Sequence, residues 1–171
     1  MNYFEIADYN PLNKEFQWPT EFVPIRRYSP EVALSTEARD KFQLLGFDLR
    51  EVQLFTTPPR TVTRIHIDGN EFISKSAINY VVNGPGLMKW YKLKNKINWA
   101  RTTDAGTVYM PFEPENCIEV DQLAITKLTL VEVCQPHNIV NDTGDYRYCF
   151  SIRYNNVSDF SITREKIKAW T

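Results

Sequence analysis

The chain has 171 residues, 43% of them hydrophobic and 13% aromatic, with a formal net charge of -1. That length suits one domain with a packed core, and the near-neutral balance excludes binding nucleic acid through a bulk basic field, leaving only a local patch. No apolar run approaches the roughly 20 residues that cross a bilayer, and the first residues show no basic stretch followed by an apolar one, so the expectation is a cytoplasmic protein with no membrane partner.

Residues 1–29 are dense in proline, aromatic and charged residues, among them Pro11, Trp18, Pro19, Pro24, Arg26 and Arg27. Proline at this density forbids a long helix or a central strand, so the segment reads as an irregular arm or a β-edge wrapping the domain. Ser29-Pro30-Glu31 then carries an N-cap, Pro at the first helical position and an acid in the first turn. Val32, Leu34, Ala38, Phe42 and Leu45 supply an apolar stripe and Gly46 a stop. This predicts one helix over 30–46, with a break near Ser35-Thr36 as the variant.

From residue 51 onward the chain alternates in short runs, at 52–56, 62–67, 76–82, 88–93, 117–120, 127–134, 138–141 and 147–154. Turn signals separate them: Pro58-Pro59, Asp68-Gly69-Asn70, Asn83-Gly84-Pro85-Gly86, Asp104-Ala105-Gly106 and Asn141-Asp142-Thr143-Gly144. About eight such strands argue for an antiparallel sandwich or barrel with a helix packed outside. Residues 94–116 read as a long variable loop, and 163–170 as one or two turns of helix. The expected division of a single domain is an arm and helix over 1–50, a β core over 51–154 and an extension over 155–171. Cys117, Cys134 and Cys149 are odd in number and widely spaced, which suits reduced thiols better than a disulfide framework.

The chain's only histidines are His66 and His137. His66 lies in Arg64-Ile65-His66-Ile67-Asp68-Gly69, at the end of a predicted strand, so His66 and Asp68 project to one face and Ile65 and Ile67 to the other. His137 returns much later, an interval long enough for several strands to bring it alongside. Two imidazoles and a carboxylate on one face of a divalent metal leave its other positions open, as in the facial triad of Fe(II) oxygenases. The plainer alternative is a pair of hydrogen-bonded structural histidines.

In Arg147-Tyr148-Cys149-Phe150-Ser151-Ile152-Arg153-Tyr154 a strand would place Arg147, Cys149, Ser151 and Arg153 on one face. Guanidinium cannot shed its charge, so two arginines facing an interior need anions. A dicarboxylate chelating the metal at one end and paired with an arginine at the other meets that need. A solvated face is the alternative.

His66-Ile67-Asp68, then His137, then Arg147 resembles the H-x-D…H…R arrangement of the Fe(II)/2-oxoglutarate-dependent dioxygenases, over roughly residues 50–154. The nearest groups are small microbial or phage members of the prolyl-hydroxylase and aspartyl/asparaginyl-hydroxylase kinds. The resemblance implies a mainly β double-stranded β-helix, or jelly-roll, with one or two flanking helices. It implies Fe(II) on His66, Asp68 and His137 as the catalytic centre, with 2-oxoglutarate and O2 as cosubstrates. Arg147 would take the distal carboxylate of 2-oxoglutarate. Arg153 resembles the second arginine of the branch that demethylates alkylated nucleic acids, and is the other candidate for that carboxylate. Many members carry R-x-S, and here Cys149 stands where the serine would, which leaves Ser151 as the next inward hydroxyl. Asn79 is a further polar contact for the cosubstrate.

The implied activity is hydroxylation of a prime substrate, a protein or peptide side chain ahead of a small molecule, with nucleic acid last given the neutral charge. Met88-Lys89-Trp90-Tyr91-Lys92-Leu93-Lys94-Asn95-Lys96 could flank a substrate groove, or be a strand with Trp90 packed inward and its lysines in water. From another class, the chain would be a non-catalytic metal-binding jelly-roll or a phage accessory protein.

Overall fold

The computed structural model describes residues 1–68, 75–84, 86–95, 101–102, 108–155 and 159–170. The strands are β1 (Tyr3–Ala7), β2 (Ile25–Tyr28), β3 (Leu49–Thr57), β4 (Thr61–Val62), β5 (Ile65–Asp68), β6 (Ser76–Asn83), β7 (Leu87–Leu93), β8 (Arg101–Thr102), β9 (Val108–Phe112), β10 (Cys117–Leu123), β11 (Leu128–Glu132), β12 (His137–Asn141) and β13 (Arg147–Tyr154). Short helices are α1 (Pro30–Ala33), α2 (Thr36–Leu44) and α3 (Phe160–Ile167).

Among the described residues the strands form two antiparallel sheets, ordered β1-β11-β6-β13-β3-β2 and β10-β7-β12-β5-β9-β8, with β4 also on β12. Eight of them, β3, β5, β6, β7, β10, β11, β12 and β13, make the core. Taken in chain order, the first, third, sixth and eighth lie in one sheet and the second, fourth, fifth and seventh in the other. That interleaving is a jelly-roll, a mainly β sandwich.

The side-chain period of two explains why one sheet is buried on both faces. Outward, Val52, Leu54, Ile78, Leu130, Phe150 and Ile152 join one apolar core with Phe16 of the arm, Phe42 of α2 and Ile167 of α3. Inward, Ala77 and Val131 pack with Met88 and Trp90 of the facing sheet. Trp90 is fully buried, stacks on Tyr3 at 5.8 Å and donates its Nε1–H to the Glu132 carbonyl at 2.8 Å. Removing such a side chain costs roughly 3–5 kcal/mol. Of the two readings of this stretch, β7 is therefore the strand with an inward tryptophan, and Lys89 pairs at the surface with Glu119. Lys96 lies outside the described residues.

Several expectations are settled or corrected. The helical stretch over 30–46 takes the broken form that the sequence allowed: α1 and α2 are separated at Leu34-Ser35, and Ser35 caps the second by accepting from Ala38 N–H at 3.1 Å. Of the two readings of the arm, the β-edge holds: it contributes β1 and β2, the two edge strands of the six-stranded sheet, where a neighbouring proline such as Pro24 is tolerated. The run 62–67 is two strands, β4 and β5, and the loop over 94–116 contains β8 and β9. The C-terminal helix runs over Phe160–Ile167 and so begins before the expected 163–170. The turn signals at Gly69-Asn70, Pro85 and Asp104-Ala105-Gly106 lie outside the described residues.

Candidate metal centre

β5 and β12 are antiparallel neighbours, and their register sets His137 directly opposite His66. The imidazole centroids are 4.6 Å apart, and His66 Nε2 stands 3.3 Å from Asp68 Oδ1. One ligand atom from each of His66, Asp68 and His137 lies within 4.8 Å of the other two. His137, distant in sequence, joins the His66–Asp68 pair because same-face neighbours along a strand and across a ladder are the closest pairs a sheet offers.

Both rings are oriented in the same way, by the carbonyl two residues earlier. His66 Nδ1 bonds the Arg64 carbonyl at 2.8 Å and His137 Nδ1 bonds the Gln135 carbonyl at 2.9 Å. A carbonyl only accepts, so in the neutral rings Nδ1 carries the hydrogen and Nε2 keeps a lone pair for a metal. Asp68 is held from its other side, where Arg153 Nη2 donates to Oδ2 at 3.0 Å. Oδ1 is thereby left facing His66. Ligands about 2.1 Å from a common ion sit roughly 3 Å apart at right angles, and the 3.3 Å His66–Asp68 spacing meets that. Two imidazole nitrogens and one carboxylate oxygen suit a divalent transition metal. The triad can hold a metal ion; three ligands of this kind do not select which.

Electrostatics prepares the ligands unequally. Burial opposes charge on His66, but the Asp68 carboxylate beside it and the Arg64 carbonyl prevail and raise its pKa above the usual 6.5. Burial, with His66 nearby, pushes His137 down to about 4. Burial would raise Asp68, yet His66 and Arg153 together hold its carboxyl far below the usual carboxylate range. At neutral pH, Asp68 is ionised and His137 neutral, both ready to ligate.

The triad opens on a cavity of about 410 Å³ between the sheets. Arg147, Cys149, Ser151 and Arg153 all line it, as alternation along β13 requires, and Asn79 joins them from the neighbouring β6. Arg147 is 1% exposed. Burial pushes the Cys149 thiol up against the opposing pull of Arg147, so it remains a neutral neighbour of that guanidinium. Ser151 is buried, directly opposite Asn79 in the ladder, and Asn79 Oδ1 has no hydrogen-bond partner among the described residues. The two arginines stand about 20 Å apart along the strand backbone, Arg153 at the triad end and Arg147 at the far end.

Some of the site carries no sequence signal of chemistry. Phe22, Pro24 and Ile25, read as part of an irregular arm, line the cavity. The carbonyls of Arg64 and Gln135 act through backbone, which side-chain patterns do not reveal. Gly86, in a turn signal, packs against Arg147: with φ +48°, a Cβ there would stand 3.0 Å from Arg147 Cδ and 2.8 Å from the Val140 carbonyl oxygen.

No family model matches the chain, and no curated protein matches it by sequence. Among solved structures, vicilin from hazelnut (Corylus avellana) aligns at TM-score 0.40 and 11% identity, over 88% of this chain and 32% of that one. The chain thus spans about a third of the length of that protein, and a likeness at this level carries no argument about the site. Strand order and side-chain geometry define a jelly-roll protein with a His–Asp–His cluster able to hold a metal.

Proposed function

We propose that the protein is an Fe(II)- and 2-oxoglutarate-dependent oxygenase that hydroxylates its prime substrate, with a protein or peptide side chain as the favoured substrate. The observation that carries this reading is the joint placement of the triad and Arg147 in one cavity. A metal site alone would suit many roles. A nearly fully buried arginine on the same inner face suits a ligand that chelates the metal at one end and ends in a carboxylate.

Ferrous iron, when bound, would supply activation of O2 coupled to oxidative decarboxylation of 2-oxoglutarate, giving succinate, CO2 and one oxygen atom for a substrate C–H bond. The chain's residues do the rest. His66, Asp68 and His137 would hold the ion beside the cavity. Arg153 fixes Asp68 by its Oδ2, so that Oδ1 would be the oxygen offered to the metal. Arg147, backed by Gly86, receives the far carboxylate. Apolar walls keep water from the reacting groups.

Succinate release from 2-oxoglutarate, measured with Fe(II) and ascorbate, tests the reading. Turnover is expected in the wild type and lost in His66→Ala, Asp68→Ala and His137→Ala, with the fold retained by circular dichroism. Unchanged turnover in any of these removes that residue from the triad. Tight metal binding with no 2-oxoglutarate binding would instead favour the non-catalytic metal-binding protein.

A further inference from the structure

We infer that the prime substrate offers the metal centre an uncharged, apolar group, admitted past Phe22; this deepens the oxygenase reading and rests on it. Among the described residues, charge in the cavity lining is confined to the triad, Arg147 and Arg153. Asp68 and Arg153 already pair with each other, and in the proposed function Arg147 serves the cosubstrate. Among the described lining residues there is no Lys, Glu or further Arg to receive a charged substrate. The remaining walls are neutral and largely apolar, with Phe22, Ile25, Phe55, Pro58, Met88 and Ile139 prominent among them.

Phe22 marks the opening, because it lines the cavity while remaining 53% exposed. Its ring is braced by that of Tyr146, 5.7 Å away between centroids and itself 41% exposed. A carboxylate, ammonium or phosphate passing between these walls would lose water and find no spare counter-charge among the described residues, a heavy penalty for an ion. An aliphatic or aromatic group loses no polar partner and gains apolar contact. About 410 Å³ lies near the low end of the roughly 300–1,000 Å³ typical of ligand sites. With the cosubstrate in place, the space left suits one side-chain-sized group.

Paramagnetic relaxation tests this without turnover. Mn(II) replaces iron, 2-oxoglutarate is added, and proton NMR of dissolved probes reports which of them approach the metal. N-acetyl-leucinamide and cyclohexanol represent neutral apolar groups; N-acetyl-lysinamide, N-acetyl-aspartamide carrying a free side-chain carboxylate, and thymidine monophosphate represent charged ones. The neutral probes are expected to relax at least about tenfold more than the charged ones, the ratio that 1.4 kcal/mol gives. The blocked amino acid against the free alcohol then separates a peptide source from a small molecule. Phe22→Asp, a change at an exposed position, should cut the neutral effect about fivefold or more while Mn(II) still loads. Equal relaxation by charged probes, or no response to Phe22→Asp, overturns the inference. Silence from every probe on protein shown to hold Mn(II) and 2-oxoglutarate overturns it alone, whereas failure to hold Mn(II) overturns the oxygenase reading with it.

Discussion

Arg153 grips one carboxylate oxygen of Asp68 at 3.0 Å while His66 lies 3.3 Å from the other. The guanidinium and carboxylate are 7% and 13% exposed, so removing the cation strands a mostly buried anion. Arg153→Ala should destabilise the metal-free protein by roughly 3–5 kcal/mol. The loss should shrink when Mn(II) is present, because the ion supplies the missing positive charge to Asp68. Urea unfolding with and without Mn(II) measures both, and an equal loss in the two would show that Arg153 acts elsewhere.

Arg147→Ala should weaken 2-oxoglutarate binding to the Mn(II)-loaded protein by about 2 kcal/mol or more, or roughly 30-fold. Arg147→Lys should lose less, since it keeps the charge and forfeits only the two-pronged geometry. Mn(II) affinity itself should hold in both. Calorimetric titration reads the two affinities separately. If Arg147→Ala changes little and Arg153→Ala abolishes binding, the roles of the two arginines are exchanged.

Gly86→Ala places a methyl 2.8 Å from the Val140 carbonyl oxygen and 3.0 Å from Arg147 Cδ, on a backbone with φ +48°. Strain and displacement together should cost about 1–3 kcal/mol in stability. The displaced side chain should weaken 2-oxoglutarate more than metal. Gly144→Ala is the control, as nothing lies within 4 Å of its added Cβ, and it should shift stability by less than about 0.5 kcal/mol.

Metal loading should release close to one proton near pH 6. His66, with its pKa raised, is then largely protonated and must lose that proton to ligate; His137, lowered to about 4, and Asp68 have none to give. The metal-free fold follows the same signs. His66 stabilises it fully below pH 6.5, and that contribution fades as pH rises through the raised pKa. His137 contributes above 6.5 and the contribution is lost as pH falls towards about 4. Calorimetry in buffers of different ionisation enthalpy counts the protons, and a value near two would contradict this assignment.

Much of the centre was legible because strands have the simplest code. The i, i+2 rule placed His66 beside Asp68 and put Arg147, Cys149, Ser151 and Arg153 on one inner face. Antiparallel order then needed only to bring β12 next to β5. The partner of Arg153 was not legible, since a sequence states that a guanidinium needs an anion and not which one is near. Phe22 and Ile25 were hidden for a different reason: proline-rich arms have no period, so nothing announces where they dock. Ser35, in turn, shows a local signal prevailing over a longer one, its side chain capping α2 and splitting the apolar stripe where Ser35-Thr36 offered a break.

The eighth core strand has no spare face. Tyr148, Phe150, Ile152 and Tyr154 lie against the apolar bed beneath the arm and helices, and the residues between them furnish the chamber. Sliding that segment by a single position would thrust two permanent cations into oil and leave four bulky rings and branches crowding the His–Asp–His cluster. Folding and chemistry therefore reject the same error, and a chain that has settled its interior has already aimed its reactive groups.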